Sequence, residues 1–437
     1  MPILLKKPEA DASFYVKIFA SLLIVWVNFW RVPELFSYPR FFAEEGSLYF
    51  SYAYSHSWLN NLLTPQHGYY TVYNSIVTSL AKLPSIDNAP LVTIFTAFVV
   101  QVAVSLYVIW GGISILDNLA KKIIVALIIP ICSFPHVWLT TIGIHFWLPV
   151  VTFFILISSD TADRKNSIFR ACFLVLSGLT GVISCFMTPL FMLRTYRDKS
   201  KEYLKYSIIL TCCSLMQIYV FLHEYFTQSV ELAHRFKGNS FIPVFIKYII
   251  YQFSIPLFGR GIFQHESVIK INNIISMVST KLFNHDYFEN TIAATPFVLG
   301  MIILLTMTTI CVKNSKQVEY TLMLLAFIIV STISTVASER MSGGPRYTFV
   351  PTVIMFTVFA ASINIRTIKN ALCNIGLYLM LLALFFNIRE FRAITNMIYN
   401  TEYPVWKKEV EVWRMLGEAY PIRILPLETT MYLKNKY

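Results

Sequence analysis

Residues 14–30 read FYVKIFASLLIVWVNFW, an apolar run preceded by Lys6 and Lys7 and closed by Arg31. A helix needs about 17–25 such residues to cross the ~30 Å hydrocarbon core of a bilayer. Runs of the same kind recur at 90–110, 142–158, 203–225, 291–312, 318–336, 347–363 and 371–387. Lys17, near the start of the first run, can snorkel to the interface. The run ends at Phe29-Trp30-Arg31 without a small-residue cleavage site, so it is expected to be an uncleaved first span rather than a signal peptide.

Composition agrees with the runs. Of 437 residues, 56% are hydrophobic and 14% charged, with a mean hydropathy of +0.58. Soluble globular chains carry about 25% charged residues, which excludes a soluble enzyme here. The formal net charge of +12 does not point to nucleic acid, because the basic residues fall in short clusters between apolar runs. Lys6-Lys7, Lys121-Lys122, Arg164-Lys165, Arg194 to Lys205, Lys313 with Lys316, and Arg366 with Lys369 recur at every second loop. This is the positive-inside pattern, which sets orientation. The seven cysteines all lie in apolar runs without a CxxC, so neither a disulfide framework nor a zinc site is indicated.

Following the basic loops assigns the sides. The N-terminus is cytoplasmic, and residues 31–70 form a long outer loop rich in Glu, His, Pro and aromatics. Residues 69–83 are apolar but interrupted by polar side chains, which predicts an interfacial or partly inserted helix. The runs 123–134 and 142–158 form an out-and-back pair. The stretch 168–193 has basic clusters on both flanks and Gly178, Gly181 and Pro189 near its middle. A single span cannot keep both ends on one side, so a hairpin of two short helices is predicted, broken where neighbours can satisfy the freed backbone. A second outer segment, 226–290, contains 241–258, which reads as a re-entrant or surface helix because of Pro243, Lys247 and Pro256. The expectation is an all-α polytopic membrane protein with about eleven crossings over residues 1–387. Two large outer loops and a small outer C-terminal tail, 388–437, complete it.

Ionisable residues concentrate in those outer segments. RFFAEEGSLYFSYAY, residues 40–54, places Glu44 and Glu45 side by side after the first span. Adjacent carboxylates at a membrane surface face low dielectric and one another, so at least one should have a raised pKa and could act as a general base towards a hydroxyl; the alternative is that they cap a helix starting at Ser47 or simply face water. SERMSGGPRY, residues 338–347, brings Arg340 and Arg346 around a Gly-Gly-Pro turn, where a guanidinium fork could hold phosphate; the alternative is a snorkelling arginine. His67, His136 and His145 are weaker candidates, since a lone His at a helix end is more often a hydrogen-bonded structural group. Glu44, Glu45 and His67 match no metal motif, so no cofactor is expected and a divalent cation is unsupported.

A first span, then an outer loop opening on an acidic pair, then many further spans, resembles the type C (GT-C) glycosyltransferases, with Glu45-x-x-x-Tyr49 similar to their acidic motif. More narrowly, Arg40-Phe-Phe-Ala-Glu-Glu-Gly, Trp58 to Pro65, Gly68-Tyr-Tyr, Ala89-Pro-Leu-Val-Thr, Gly344-Pro-Arg-Tyr and Trp406-x-x-Glu-Val-x-x-Trp resemble the serotype-converting (Gtr-type) O-antigen glucosyltransferases of bacteria and phages. The resemblance spans nearly the whole chain. It implies a bacterial inner-membrane enzyme that transfers glucose, or another hexose, from undecaprenyl-phosphate-sugar to a lipid-linked O-antigen unit on the periplasmic face, with inversion. A donor synthase and a flippase would be its functional partners. Glu45 or Glu44 would be the base. Arg346, Arg340, Tyr347 and Arg40 would hold the donor phosphate, and His67, Tyr69 and His145 would contact substrate. The family motif usually has Asp first, whereas both positions here are Glu, which leaves the identity of the base open. The rival readings are an O-antigen polymerase or ligase, which would lean on outer-loop arginines, and a transporter or flippase. A transporter would place ionisable groups at mid-membrane and show internal repeats, neither of which the sequence displays.

Overall fold

The computed structural model describes residues 7–132, 138–160, 163–227, 241–259, 269, 294–337, 345–363, 374–392, 405–426 and 428–434. Apolar runs become helices because only a helix satisfies every backbone group within one segment in hydrocarbon. In chain order they are α1 (Lys7–Arg31), α2 (Val72–Leu80), α3 (Ala89–Trp110), α4 (Leu119–Ile131) and α5 (Ile144–Ile157). Then come α6 (Arg164–Gly178), α7 (Thr188–Asp198), α8 (Lys201–Thr227) and α9 (Phe241–Ile249). The last are α10 (Ala294–Lys313), α11 (Val318–Ala337), α12 (Phe349–Ser362), α13 (Ile375–Glu390) and α14 (Trp406–Leu416). A two-stranded antiparallel hairpin, β1 (Ile422–Ile424) with β2 (Thr429–Met431), follows. Among the described residues five helices (α1, α3, α8, α10 and α11) are long and apolar enough to cross a membrane, which makes this a helical multi-pass membrane chain.

Two shorter helices form the centre. α5 and α12 have 14 residues each, about 21 Å at 1.5 Å per residue. Neither faces lipid: nearly every side chain of both is buried, so their length need not match the bilayer. They pack together through Trp147 and Phe349, whose rings lie 4.7 Å apart. Their C-terminal ends meet the basic clusters. Arg194 donates to the carbonyl of Leu156, and Lys121 Nζ donates to that of Ala361 at 3.1 Å. Cations there complement the negative ends of the helix dipoles. The N-termini of α5 and α12 therefore share the opposite end of the bundle.

The predicted hairpin is present as α6 and α7. Its ends lie at the basic face, where Arg170 donates to the carbonyl of Ser159 at 2.9 Å and Lys205 to the hydroxyl of Ser167 at 3.0 Å. Its broken tip, residues 179–184, reaches the other end and clasps the segment after His67. Val72 N–H donates to Leu179 O at 2.9 Å, and Gly181 N–H to Tyr70 O at 3.0 Å. Gly181 needs φ +95° to turn there, and a Cβ would stand 2.9 Å from His145 Cβ. Gln217, buried in α8, accepts from Tyr70 N–H at 2.9 Å and donates to Gly178 O at 3.0 Å. The carbonyls freed at Gly178 and Gly181 are thus satisfied by the Gln217 amide.

Of the two readings of residues 241–258, re-entrant or surface helix, the packing rules out the surface one: α9 runs through a π-helical turn, Ile250–Ser254, to Phe258, packed against α10 and α13. Its polar groups have partners inside the bundle, Gln252 on Thr335 at 3.2 Å and Tyr248 on Ser331 at 2.8 Å. α2 is largely buried within the protein, and Asn61 binds its polar side, donating to Ser75 O at 2.8 Å and to Ser79 Oγ at 2.9 Å. The C-terminal tail packs onto the first loop. Trp406, Val410, Trp413, Ile422 and Ile424 share one apolar core with Phe41 and Phe50 of the first loop. Most of the second outer segment, 226–290, lies outside the described residues.

Candidate functional site

The acidic pair sits on a strained turn. Glu45 N–H donates to Phe42 O at 3.0 Å, and Ala43 within the turn holds φ +46°, a left-handed conformation costing an L residue about 1–2 kcal/mol. The tail holds the turn in place. Leu425 N–H donates to Phe41 O at 2.9 Å, and Ala43 N–H donates back to Leu425 O. From Glu45 the chain enters a π-helical turn, Glu45–Phe50, a form common at functional sites. Gly46 is required there, since a Cβ would lie 2.8 Å from Phe41 Cβ and 3.0 Å from Ile424 Cδ1.

The two carboxylates face different surroundings. Glu45 is 1% exposed. Its Oε1 accepts from Thr141 N–H at 2.7 Å and Thr141 Oγ1 at 2.8 Å, and its Oε2 from Phe42 N–H at 3.2 Å. Thr141 follows Leu139, another left-handed residue at φ +45°. Glu45 therefore fastens one strained turn to another. Burial pushes its carboxyl up to about 7, against the pull of those donors. Glu44 is exposed and opens onto a cavity of about 110 Å³.

That cavity collects residues from five segments. Glu44 and Tyr49 come from the acidic loop, His67 and Tyr69 from the next turn, and Asn74 from α2. Ile142, Gly143, His145 and Phe146 come from the start of α5, and Arg346 and Tyr347 from the 3-10 turn, Pro345–Thr348, that leads into α12. His67 is carried by a two-residue hairpin turn. His67 and Gly68 have φ +55° and +81°, and Gln66 and Tyr69 exchange both backbone bonds, at 3.2 and 3.3 Å. Such turns require positive φ at both central residues. Aromatic contacts join the walls: Tyr69 to His145 at 6.4 Å, Phe146 to Tyr347 at 5.6 Å, and Arg346 over the Tyr347 ring at 5.3 Å. One carboxylate, one guanidinium and two imidazoles thus converge where two buried helices begin.

Compared with family models and with curated proteins, the chain matches none. The site therefore stands on its geometry.

Of the residues singled out in the sequence, Glu44, His67, Tyr69, His145, Arg346 and Tyr347 meet in this cavity. Two do not. Glu45 lies behind the turn, tied to Thr141. Arg40 turns away, its Nη1 donating to Arg423 O at 2.5 Å with its guanidinium over Trp406 at 5.7 Å; it docks the tail. Arg340 and His136 lie outside the described residues. Tyr49 and Asn74 were not singled out, although Tyr49 closes the Glu45-x-x-x-Tyr49 spacing. Among the described residues no group of three His, Cys, Asp or Glu side chains could hold a metal ion.

The buried Glu45 carboxyl makes stability depend on pH. Its folded pKa lies above the unfolded value, so the folded state binds the proton more tightly. The resulting stability is full below the unfolded carboxylate range and is lost as pH rises through about 7. The unfolding free energy of the purified protein should fall between about pH 5 and about pH 8 with a slope of up to about 1.4 kcal/mol per pH unit, and the melting temperature should fall with it. Glu45→Gln, which keeps an acceptor for Thr141, should flatten that slope; an unchanged slope in the variant would place the titrating group elsewhere.

Proposed function

We propose that the chain is a polyprenyl-phosphate-sugar-dependent hexosyltransferase of the type C kind, working at the non-cytoplasmic face of a bacterial inner membrane. The observation that carries this reading is that Glu44 and Arg346 line one cavity, at the end of the bundle opposite the basic clusters. A carboxylate and a fixed cation are the two groups that sugar transfer from a lipid phosphate requires.

The acceptor hydroxyl attacks the anomeric carbon. The bond from that carbon to the phosphate oxygen breaks, and the lipid phosphate leaves with the electron pair. Glu44 takes the hydroxyl proton, a general-base role. Arg346 faces the departing phosphate, whose charge grows by one, and the positive ends of α5 and α12 add to the favourable potential. Attack opposite the leaving group inverts the anomeric centre. His67, Tyr69, His145 and Tyr347 form the walls against which the sugar lies. In this reading the chain crosses about eleven times, with a cytoplasmic N-terminus and a periplasmic tail. A synthase and a flippase supply undecaprenyl-phosphate-glucose, and a lipid-linked O-antigen unit accepts the hexose.

The test compares surface polysaccharide from cells with and without the protein by mass spectrometry. Addition of one hexose per repeat unit supports the reading. A change in chain length without added mass per repeat would replace it with a polymerase.

A further inference from the structure

Asn74 is a polar residue of the cavity wall that the mechanism leaves unused. It stands on α2, 1% exposed, held by the clasp between residues 70–73 and the hairpin tip. Its side chain faces the Tyr49 hydroxyl. Its Oδ1, however, is buried without a hydrogen-bond partner. α2 makes no use of that oxygen: the Asn61 amide nearby donates to Ser75 and Ser79 instead, and Thr78 Oγ1 bonds the Asn74 backbone carbonyl at 2.7 Å. A buried acceptor left unmade is costly, and native interiors rarely keep one without a reason.

We infer that Asn74 reads a hydroxyl of the donor hexose and so sets which sugar is transferred; the inference rests on the transferase reading above. The cavity decides for the donor over the acceptor. Asn74 is 1% exposed in the wall, whereas Glu44, the base for the acceptor, is exposed, and Arg346 on the same wall takes the phosphate borne by the donor ring. A group reached by Asn74 therefore belongs to the ring that carries the phosphate. The partner it lacks is a donor, which a sugar hydroxyl supplies and a deoxy carbon does not. A site built around such a bond rejects the analogue lacking it, because its own polar group is then stranded.

The experiment uses the full-length protein in proteoliposomes, a synthetic polyprenyl-phosphate-hexose and its set of singly deoxygenated analogues. For wild type, one analogue should fall about 10- to 100-fold in kcat/KM relative to the parent. In Asn74→Leu that ratio should collapse to about 1, by loss of rate on the parent alone, while Asn74→Asp, which keeps an acceptor, should restore it. Melting temperatures are read alongside to confirm that each variant is folded. If Asn74→Leu lowers all donors equally, or leaves the ratio at its wild-type value, Asn74 is structural and the inference fails while the transferase stands. If wild type transfers no hexose from any donor, both are overturned.

Discussion

On the proposed transferase reading, Glu44→Gln is expected to lower hexose transfer by about 10²–10⁴-fold, the range that a positioned general base supplies, with membrane level and melting temperature at wild-type values. The side chain is exposed at the cavity and bears no fold-holding hydrogen bond among those described. Gln keeps its shape and removes only its ability to take a proton. Glu45→Gln is the necessary companion. That substitution acts behind the turn, where the carboxyl ties Thr141 to Phe42, so it should change stability and its pH profile before it changes the chemistry. The pair thus separates base from fastener. Full activity in folded Glu44→Gln would remove the base assignment, and transfer lost only in Glu45→Gln, at unchanged stability, would hand the role to its neighbour.

Arg346→Ala is expected to lower kcat/KM by about 10²–10³-fold, the scale found when one preorganised donor to a developing charge is removed. The loss should fall mainly on kcat. A phosphodiester donor carries one negative charge and the leaving lipid phosphate carries two, so in the proposed role Arg346 would bind the transition state more strongly than the ground state. Arg346→Lys should recover only part of the rate, because an ammonium replaces the charge without the planar fork that grips two phosphate oxygens. A variant that raises KM for the donor and leaves kcat intact would show that Arg346 merely captures substrate.

Much of the bundle was legible because apolar length and the placement of lysines and arginines are local signals. The run at 203–225 became Lys201–Thr227, 318–336 became Val318–Ala337, and the doubly basic flanks of 168–193 foretold the hairpin. Polar residues at the ends of runs, His67, His145 and Arg346 among them, were legible as candidates for the same reason. What stayed hidden depends on side-chain direction or on distant partners. Glu44 and Glu45 are equivalent as letters, and only the left-handed Ala43 and the approach of Thr141 send one inward and leave the other in the cavity. Arg40 looked like a phosphate ligand because its partner, the Arg423 carbonyl, is 383 residues away. Asn74 was overlooked because an asparagine in a short, half-polar helix is unremarkable until its neighbours are shown to leave its oxygen unmade.

The clasp between Leu425 and the turn at Phe41–Ala43 also makes the geometry of the acidic pair a long-range property. The backbone bonds that hold the turn come from Leu425, far along the sequence, and closing so long a loop costs more chain entropy than a local contact does. A backbone cut just ahead of Leu425 therefore releases the turn while leaving the helices paired, so hydrogen exchange at Ala43 and Glu45 should quicken well before the bundle itself opens.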